Sequence, residues 1–244
     1  MMKRYYYDLH VHSCLSPCGD DDSTPNNIAG MARLCELDIV ALTDHNSCKN
    51  CPAFFEAADK LGVIPVAGME LTTSEDIHAV CLFEKLSDAM AFDKYVDGHR
   101  LRIKNRPAIF GEQLVLDGED NLVGKEEYLL INATEISIDE VCSLVEKYNG
   151  VCYPAHIDRA SNGIVAILGA IPREVGFRLF EIRDPERIKE LCASHGIDED
   201  KIIVSSDAHR LEALRDKDAF VLLPESTDPD EVRRSLFRYL RGEE

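Results

Sequence analysis

Tyr5-Tyr6-Tyr7-Asp8-Leu9-His10-Val11-His12 lies near the start of the chain. Aromatic residues and then an alternation of polar and apolar side chains are the composition of a β-strand, expected over residues 5–10. Residues two apart in a strand point to the same face, so His10 and His12 present both imidazoles on one side of its carboxyl end, within reach of one cation. Short runs of the same kind recur at 38–43, 63–69, 77–83, 151–155, 178–182, 202–205 and 219–222. Helical signals fall between them. Ser23-Thr24-Pro25 starts a helix with Ile28, Met31, Ala32 and Cys35 on one face. Ile138, Val141, Leu144, Val145 and Tyr148 repeat at helical spacing before Asn149-Gly150, and further helices are expected over 185–194 and 230–240. Strand and helix in alternation are the signature of βα units around a parallel sheet.

The rhythm breaks at 98–135. This stretch begins with the basic run Gly98-His99-Arg100-Leu101-Arg102-Ile103-Lys104-Asn105-Arg106. It continues with two short apolar segments, 113–116 and 122–123, about Asp117-Gly118-Glu119-Asp120-Asn121, which predict a β-hairpin. The expectation is one domain over 1–244 carrying this hairpin as an insertion.

With 45 acidic against 27 basic residues the formal net charge is −18, which repels a polyanion at long range. The expected partner is therefore a small phosphorylated substrate rather than long nucleic acid, and no membrane. No apolar run approaches the roughly 20 residues of a membrane span. The first residues lack a secretory apolar core, so a cytoplasmic location is expected. The cysteine count, nine, is odd, which predicts reduced thiols or metal ligands rather than a disulfide framework. Cys35, Cys81, Cys142, Cys152 and Cys192 sit among apolar neighbours as small buried hydrophobes.

Chemistry-bearing residues gather at the ends of the expected strands. Thr43-Asp44-His45 ends the second and Gly68-Met69-Glu70 the third, and His78 lies in the fourth. Pro154-Ala155-His156 and Ser205-Ser206-Asp207-Ala208-His209 end two later ones. In α/β barrels the carboxyl ends of the strands form the functional face, so these groups are expected to converge. Of eight histidines only His99 and His195 fall outside the pattern. Imidazole with carboxylate suits zinc, manganese or iron, and so large a set exceeds the needs of one ion.

In order along the chain, Asp8-Leu9-His10-Val11-His12-Ser13, Leu42-Thr43-Asp44-His45, Gly68-Met69-Glu70, His78, His156 and Ser206-Asp207-Ala208-His209 resemble the successive motifs of the PHP (polymerase and histidinol phosphatase) family. The resemblance implies an α/β fold, a distorted (β/α)7 barrel, with two or three divalent ions. It implies His10, His12, His45, Glu70, His78, His156, Asp207 and His209 as ligands. The family often has a further ligand in a Ser-Asp-Gly turn after the first motif. Here Ser16-Pro17-Cys18-Gly19-Asp20-Asp21-Asp22 is longer, and counting back from Pro25 selects Asp20, with Asp21 or Asp22 equally placed.

Ions about 4 Å apart share a hydroxide of lowered pKa and neutralise developing phosphoryl charge, so the site is expected to hydrolyse a phosphomonoester by metal-activated hydroxide. The expected substrate is a nucleotide, a nucleoside bisphosphate or a sugar phosphate. The alternatives are a 5′–3′ exonuclease on short nucleic acids, an amidohydrolase-type barrel and a non-catalytic metal-binding module. Asp44 is expected to orient a first-motif histidine, and Asp207, His209 or a metal-bound water to give the leaving oxygen its proton. Arg159 is the leading phosphate contact, followed by Lys104, Arg106 and Arg210. Cys14 and Cys18 with Cys48 and Cys51 follow the first two motifs directly. As four convergent thiols they would hold a further zinc or an iron–sulfur cluster.

Overall fold

The computed structural model describes residues 1–243. The chain runs β1 (Met2–Val11), α1 (Pro25–Leu34), β2 (Ile39–Leu42), α2 (Cys51–Leu61), β3 (Ile64–Thr72), β4 (His78–Phe83) and α3 (Leu86–Asp97). The insertion supplies α4 (Pro107–Phe110), β5 (Leu114–Leu116) and β6 (Leu122–Lys125). Then follow α5 (Ile138–Lys147), β7 (Gly150–Pro154), α6 (Ile164–Leu168), β8 (Phe180–Ile182), α7 (Ile188–His195), β9 (Ile202–Val204), β10 (Phe220–Pro224) and α8 (Pro229–Arg241).

The main sheet has the order β10-β1-β2-β3-β4-β7 and curls into a half-barrel. β8 and β9 form a parallel pair of their own. Single contacts complete the ring. Ile157 N–H donates to Glu181 C=O at 2.9 Å beyond β7, and His12 N–H donates to Ala208 C=O at 2.8 Å beyond β9. The architecture is a distorted (β/α) barrel.

One departure from uniform βα alternation has a steric cause. β1, β2 and β3 are parallel, but β4 pairs antiparallel with both β3 and β7. Only residues 73–77 separate β3 from β4, far short of the dozen or so residues a parallel crossover needs. The reversal matters for the site: His78, first residue of β4, sits at the same end of the barrel as the last residues of its neighbours. β10 is likewise antiparallel, at the edge beside β1.

The helices obey their local signals. Thr24 Oγ1 accepts from Asn27 N–H at 3.2 Å at the start of α1, and Ser137 with Glu140 forms a capping box on α5. The helices α1, α2, α3 and α5 bury Ile28, Phe54, Phe92 and Val141 on one side of the sheet. On the other side α8 buries Val232, Leu236, Phe237 and Leu240 against Tyr7, Leu9, Val66 and Tyr153. With both faces covered the central strands β2, β3 and β4 are largely apolar, and their histidine and acid side chains collect at one end. At Gly68 a Cβ would lie 2.8 Å from Thr43 and Leu82 side chains, so only glycine lets β3 run this close to its neighbours just before Glu70.

The insertion forms the expected antiparallel hairpin. It grips the loops after β1 and β2: Leu114 N–H donates to Cys14 C=O at 2.9 Å, and Asn50 Nδ2 donates to Leu114 C=O at 3.0 Å. Three cations of its basic run have acidic partners. Arg100 pairs with Asp97 and Glu126, Arg102 with Asp97, and Lys104 with Glu127 at 3.2 Å. Among the described residues no helix is long and apolar enough to cross a membrane.

Candidate metal centre

The eight side chains expected as ligands meet in one largely buried cluster. Their donor atoms fall into three overlapping groups: His10, His12, Glu70 and Asp207; His45, Glu70 and His78; and His12, His45 and His209. Within each group every pair of donors lies within 4.8 Å. His156 joins through Nε2, 2.9 Å from Glu70 Oε1. Glu70 is the hub, with His45 Nδ1 at 3.0 Å and His78 Nδ1 at 2.7 Å.

Protein hydrogen bonding leaves this cluster incomplete. Glu70 Oε2, Asp207 Oδ1, His45 Nδ1 and His156 Nδ1 are buried without a hydrogen-bond partner. Glu70 Oε2 and His45 Nδ1 are close but misaligned for a bond. His10 Nε2 and His12 Nε2 face one another at 3.1 Å. Buried polar atoms are costly without partners, and lone pairs converging from several rings and carboxylates are the arrangement a cation satisfies. His156 and Asp207 also hold φ of +28° and +54°, a left-handed backbone that non-glycine residues adopt at a cost and that concentrates at functional sites. The residues fit two or three divalent ions.

The electrostatics agree. Burial opposes ionisation of His10, but Glu181, Glu70 and Asp207 outweigh it and raise its pKa well above the ordinary value. For His12, burial is likewise outweighed by Asp207 and Glu70, and the pKa rises to about 9. Burial lowers His45 to about 4 and His209 to about 3, with cationic rings adding to the effect. Glu70 and Asp207 are held well below the carboxylate range by the surrounding histidines, against their own burial.

A second layer of side chains fixes the rings. Asp44 accepts from Ser13 N–H, Ser13 Oγ and Ser16 Oγ, each at 2.7 Å, and Ser16 Oγ lies 2.9 Å from His12 Nδ1. The expected support from Asp44 thus passes through Ser16. Glu181 was not anticipated: both its oxygens lie 2.9–3.0 Å from His10 Nδ1, and Oε1 also accepts from His156 N–H at 3.0 Å. Its signal was a lone acid in the apolar run Leu179-Phe180-Glu181-Ile182. Asp8 accepts from Ser206 N–H at 3.0 Å and ties β1 to the loop bearing Asp207.

The mouth of the centre is a cavity of about 370 Å³ lined by Cys18, Arg159, Arg183, Asp207, His209 and Arg210. Arg159 Nη1 donates to Asp207 Oδ2 at 2.8 Å, and Arg183, also unanticipated, approaches the same atom at 3.5 Å. Three other expectations need correction. Lys104 and Arg106 do not border the mouth: Lys104 is 76% exposed beside Glu127, and Arg106 lies over the Phe110 ring. Asp20 is exposed and its carboxylate accepts from Asp22 N–H at 3.1 Å, so it is not brought to the cluster.

The four cysteines do not meet. Cys48 and Cys51 turn their sulfurs to Gly68 C=O at 3.1 and 3.6 Å, Cys14 lies against Leu114 C=O, and Cys18 stands exposed at the mouth. The loops are clasped by the hairpin instead of by an ion. Of the five cysteines expected to be buried, Cys81 and Cys192 are, whereas Cys35, Cys142 and Cys152 are partly exposed.

A family model described as the PHP domain matches residues 8–193. No curated protein sequence matches the chain. Among solved structures, the lesion-specific endonuclease PfuEndoQ from Pyrococcus furiosus is similar with a TM-score of 0.65 and 17% identity, over 95% of this chain and 55% of that one. Endonuclease Q in complex with a 27-mer duplex bearing an abasic lesion at the active site matches with a TM-score of 0.67 and 16% identity, over 98% of this chain and 57% of that one. The chain thus spans a little over half the length of those two proteins. A candidate metal-dependent phosphoesterase from Bifidobacterium adolescentis aligns over 98% of both chains, with a TM-score of 0.57 and 20% identity.

These likenesses correct the expectation that long nucleic acid is excluded. A protein of this fold holds a DNA duplex at its active site. Net charge describes the far field of the whole molecule and not the mouth of one site, which here carries three arginines.

Proposed function

Because the chain belongs to the PHP family of metal-dependent phosphoesterases, we propose that it is a hydrolase that cleaves a phosphomonoester at the centre built on His10, His12, His45, Glu70, His78, His156, Asp207 and His209. The observation that carries this reading is the sharing of Asp207. One carboxylate faces His10 and His12 on its inner side and Arg159 and Arg183 on its outer side. A phosphoryl group at the mouth then meets guanidinium donors and the metal cluster together.

Two or three ions of zinc, manganese or iron, when bound, would supply an activated water and neutralise phosphoryl charge. The protein's own part is geometry. Glu181 holds the His10 ring, and Asp44 through Ser16 holds His12. Arg159, Arg183 and Arg210 bind the phosphoryl oxygens, and Asp207 stays ionised between the two shells.

A second reading, cleavage of a nucleic-acid phosphodiester, is favoured by the likeness to endonuclease Q bound to duplex DNA. One assay separates them. Manganese-loaded protein is offered nucleotides, nucleoside bisphosphates and sugar phosphates with phosphate release measured, and a duplex carrying an abasic site with strand scission measured. Phosphate release is expected. Scission without it would transfer the chain to the second reading, and neither product would overturn the hydrolase assignment.

A further inference from the structure

We propose that Cys81 and Cys152 are a thiol-oxidation site, at which a disulfide joins β4 to β7 across the sheet. This chemistry needs neither the metal nor the substrate assigned above. Cys81 and Cys152 stand directly opposite one another in the antiparallel ladder. Ala155 N–H donates to His78 C=O at 3.0 Å, which makes 78, 80 and 82 the hydrogen-bonded positions and leaves Cys81 with Cys152 as a non-hydrogen-bonded pair. Pro154 opposite Ala79 fits that phase, because a position outside the hydrogen-bonded set asks no N–H of it. Non-hydrogen-bonded partners lie about 4.5 Å apart at Cα, inside the roughly 4.4–6.8 Å that a disulfide spans. The two Sγ atoms are already 3.9 Å apart. Rotation of the side chains therefore closes the bond without moving the strands.

Access comes from the far end of the barrel. Cys152 and Cys142, from α5, line a cavity of about 730 Å³ that also holds Gly150 and Glu84, at the strand ends away from the metal centre. Cys81 is wholly enclosed behind Cys152. Burial raises the Cys152 thiol well above its ordinary pKa, and a hydrogen bond from Cys142 works against that. Cys152 therefore reacts slowly, and Cys81 only after it. The oxidant is a low-molecular-weight disulfide. Cys152 gives its proton to water, its sulfur attacks the disulfide, and one thiolate leaves. Cys81 loses its proton likewise, attacks the Cys152 sulfur and expels the second thiolate, so one disulfide is reduced to two thiols as another forms. The bridge lies three residues from His78 and four from His156. Those two rings converge on Glu70 Oε1 at 2.7 and 2.9 Å, so it ties together the strands that carry two of the ligands.

The test treats the folded protein with oxidised glutathione, alkylates the remaining thiols and maps the digest by mass spectrometry without reductant. A peptide cross-linked between Cys81 and Cys152 is expected, lighter by two hydrogens than its reduced parts. It should form in Cys142→Ser and Cys14→Ser and be absent from Cys81→Ser. The oxidised parent should unfold at a higher urea concentration than the reduced protein, a difference that Cys81→Ser should not show. Circular dichroism on each variant separates loss of the thiol from loss of the fold. Cys152 joined to Cys142 instead, Cys152 left free or held by glutathione, or a cross-link that forms only in urea would overturn the assignment. So would a fully cross-linked protein whose urea unfolding is unchanged.

Discussion

Glu181→Gln probes how far the rings depend on the layer behind them. Glu181 is fully buried, and its Oε1 serves both His10 Nδ1 at 2.9 Å and the His156 backbone N–H at 3.0 Å. A glutamine with its carbonyl oxygen in that place retains these two contacts, so the fold should survive. What changes is the other atom. Oε2, 3.0 Å from the same ring nitrogen, becomes an amide that points donors at a donor, and the negative charge that makes His10 a stronger ligand is gone. Losing one charge-assisted hydrogen bond costs about 2 kcal/mol, or roughly 30-fold in binding at about 1.4 kcal/mol per tenfold. That falls within the roughly 10–100-fold range for partners of metal-bound histidines. Competition with a chelator of known affinity should show the ion at His10 held that much less tightly, with the melting temperature of the metal-free protein changed far less. Equal metal affinity in the variant and the parent would refute the claim that Glu181 acts through His10.

Stripping the ions should lower the melting temperature by about 8–16 °C for each ion present at about 1,000 times its dissociation constant, which is worth about 4 kcal/mol per site. A scan with and without chelator that shows no shift would count against a metal-built centre. Arg159→Ala should raise KM for phosphorylated substrates more than it lowers kcat, whereas Lys104→Ala with Arg106→Ala should leave KM unchanged, in keeping with their distance from the mouth cavity; steady-state kinetics on the three proteins decides. Asp44→Ala strands three buried donors on Ser13 and Ser16 and should cost about 3 kcal/mol or more in urea unfolding. Burial works against ionisation of Asp97, yet Arg102 and Arg100 hold it down at about 2, below the ordinary 3.8. Its contribution is therefore complete above the unfolded value and lost as pH falls through about 2. Asp97→Asn should cost about 1 kcal/mol or less at pH 6, since the pair is largely solvated, and the gap to the parent should close as pH falls through about 2 in acid unfolding curves.

The strand ends were legible because burial on both sides of a sheet leaves polar residues only one place to go. Histidines and acids that interrupt apolar runs at their carboxyl ends, as at Thr43-Asp44-His45 and Gly68-Met69-Glu70, must meet when the strands align. His78 was harder, since it opens its strand. The reversal of β4, forced by the short turn before it, puts that opening residue level with the others. The supporting shell was nearly invisible. Glu181 lies 171 residues from His10, and no local spacing links them. The loop after His12 misled for a related reason. A count along the chain selects Asp20, with Asp21 or Asp22 equally placed, while the turn through Gly19 faces Cys18 to the centre's mouth and Asp20 to solvent.

Charge is where whole-chain arithmetic and local structure part. The run from Arg100 to Arg106 is the densest basic segment in sequence, yet Asp97, Glu126 and Glu127 fold back on Arg100, Arg102 and Lys104. Arg159, Arg183 and Arg210 are isolated in sequence and come together only when the ends of β7, β8 and β9 do. At ordinary ionic strength a charge is felt over about 8–10 Å. A phosphate at the mouth therefore responds mainly to the cations and any bound ions around it, while the excess acid elsewhere on the surface is screened. The net charge of −18 governs how fast a long polyanion approaches from solution and how strongly salt changes that rate. It does not decide whether a phosphate, once at the mouth, is held there, and that question belongs to three arginines and the cluster behind Asp207.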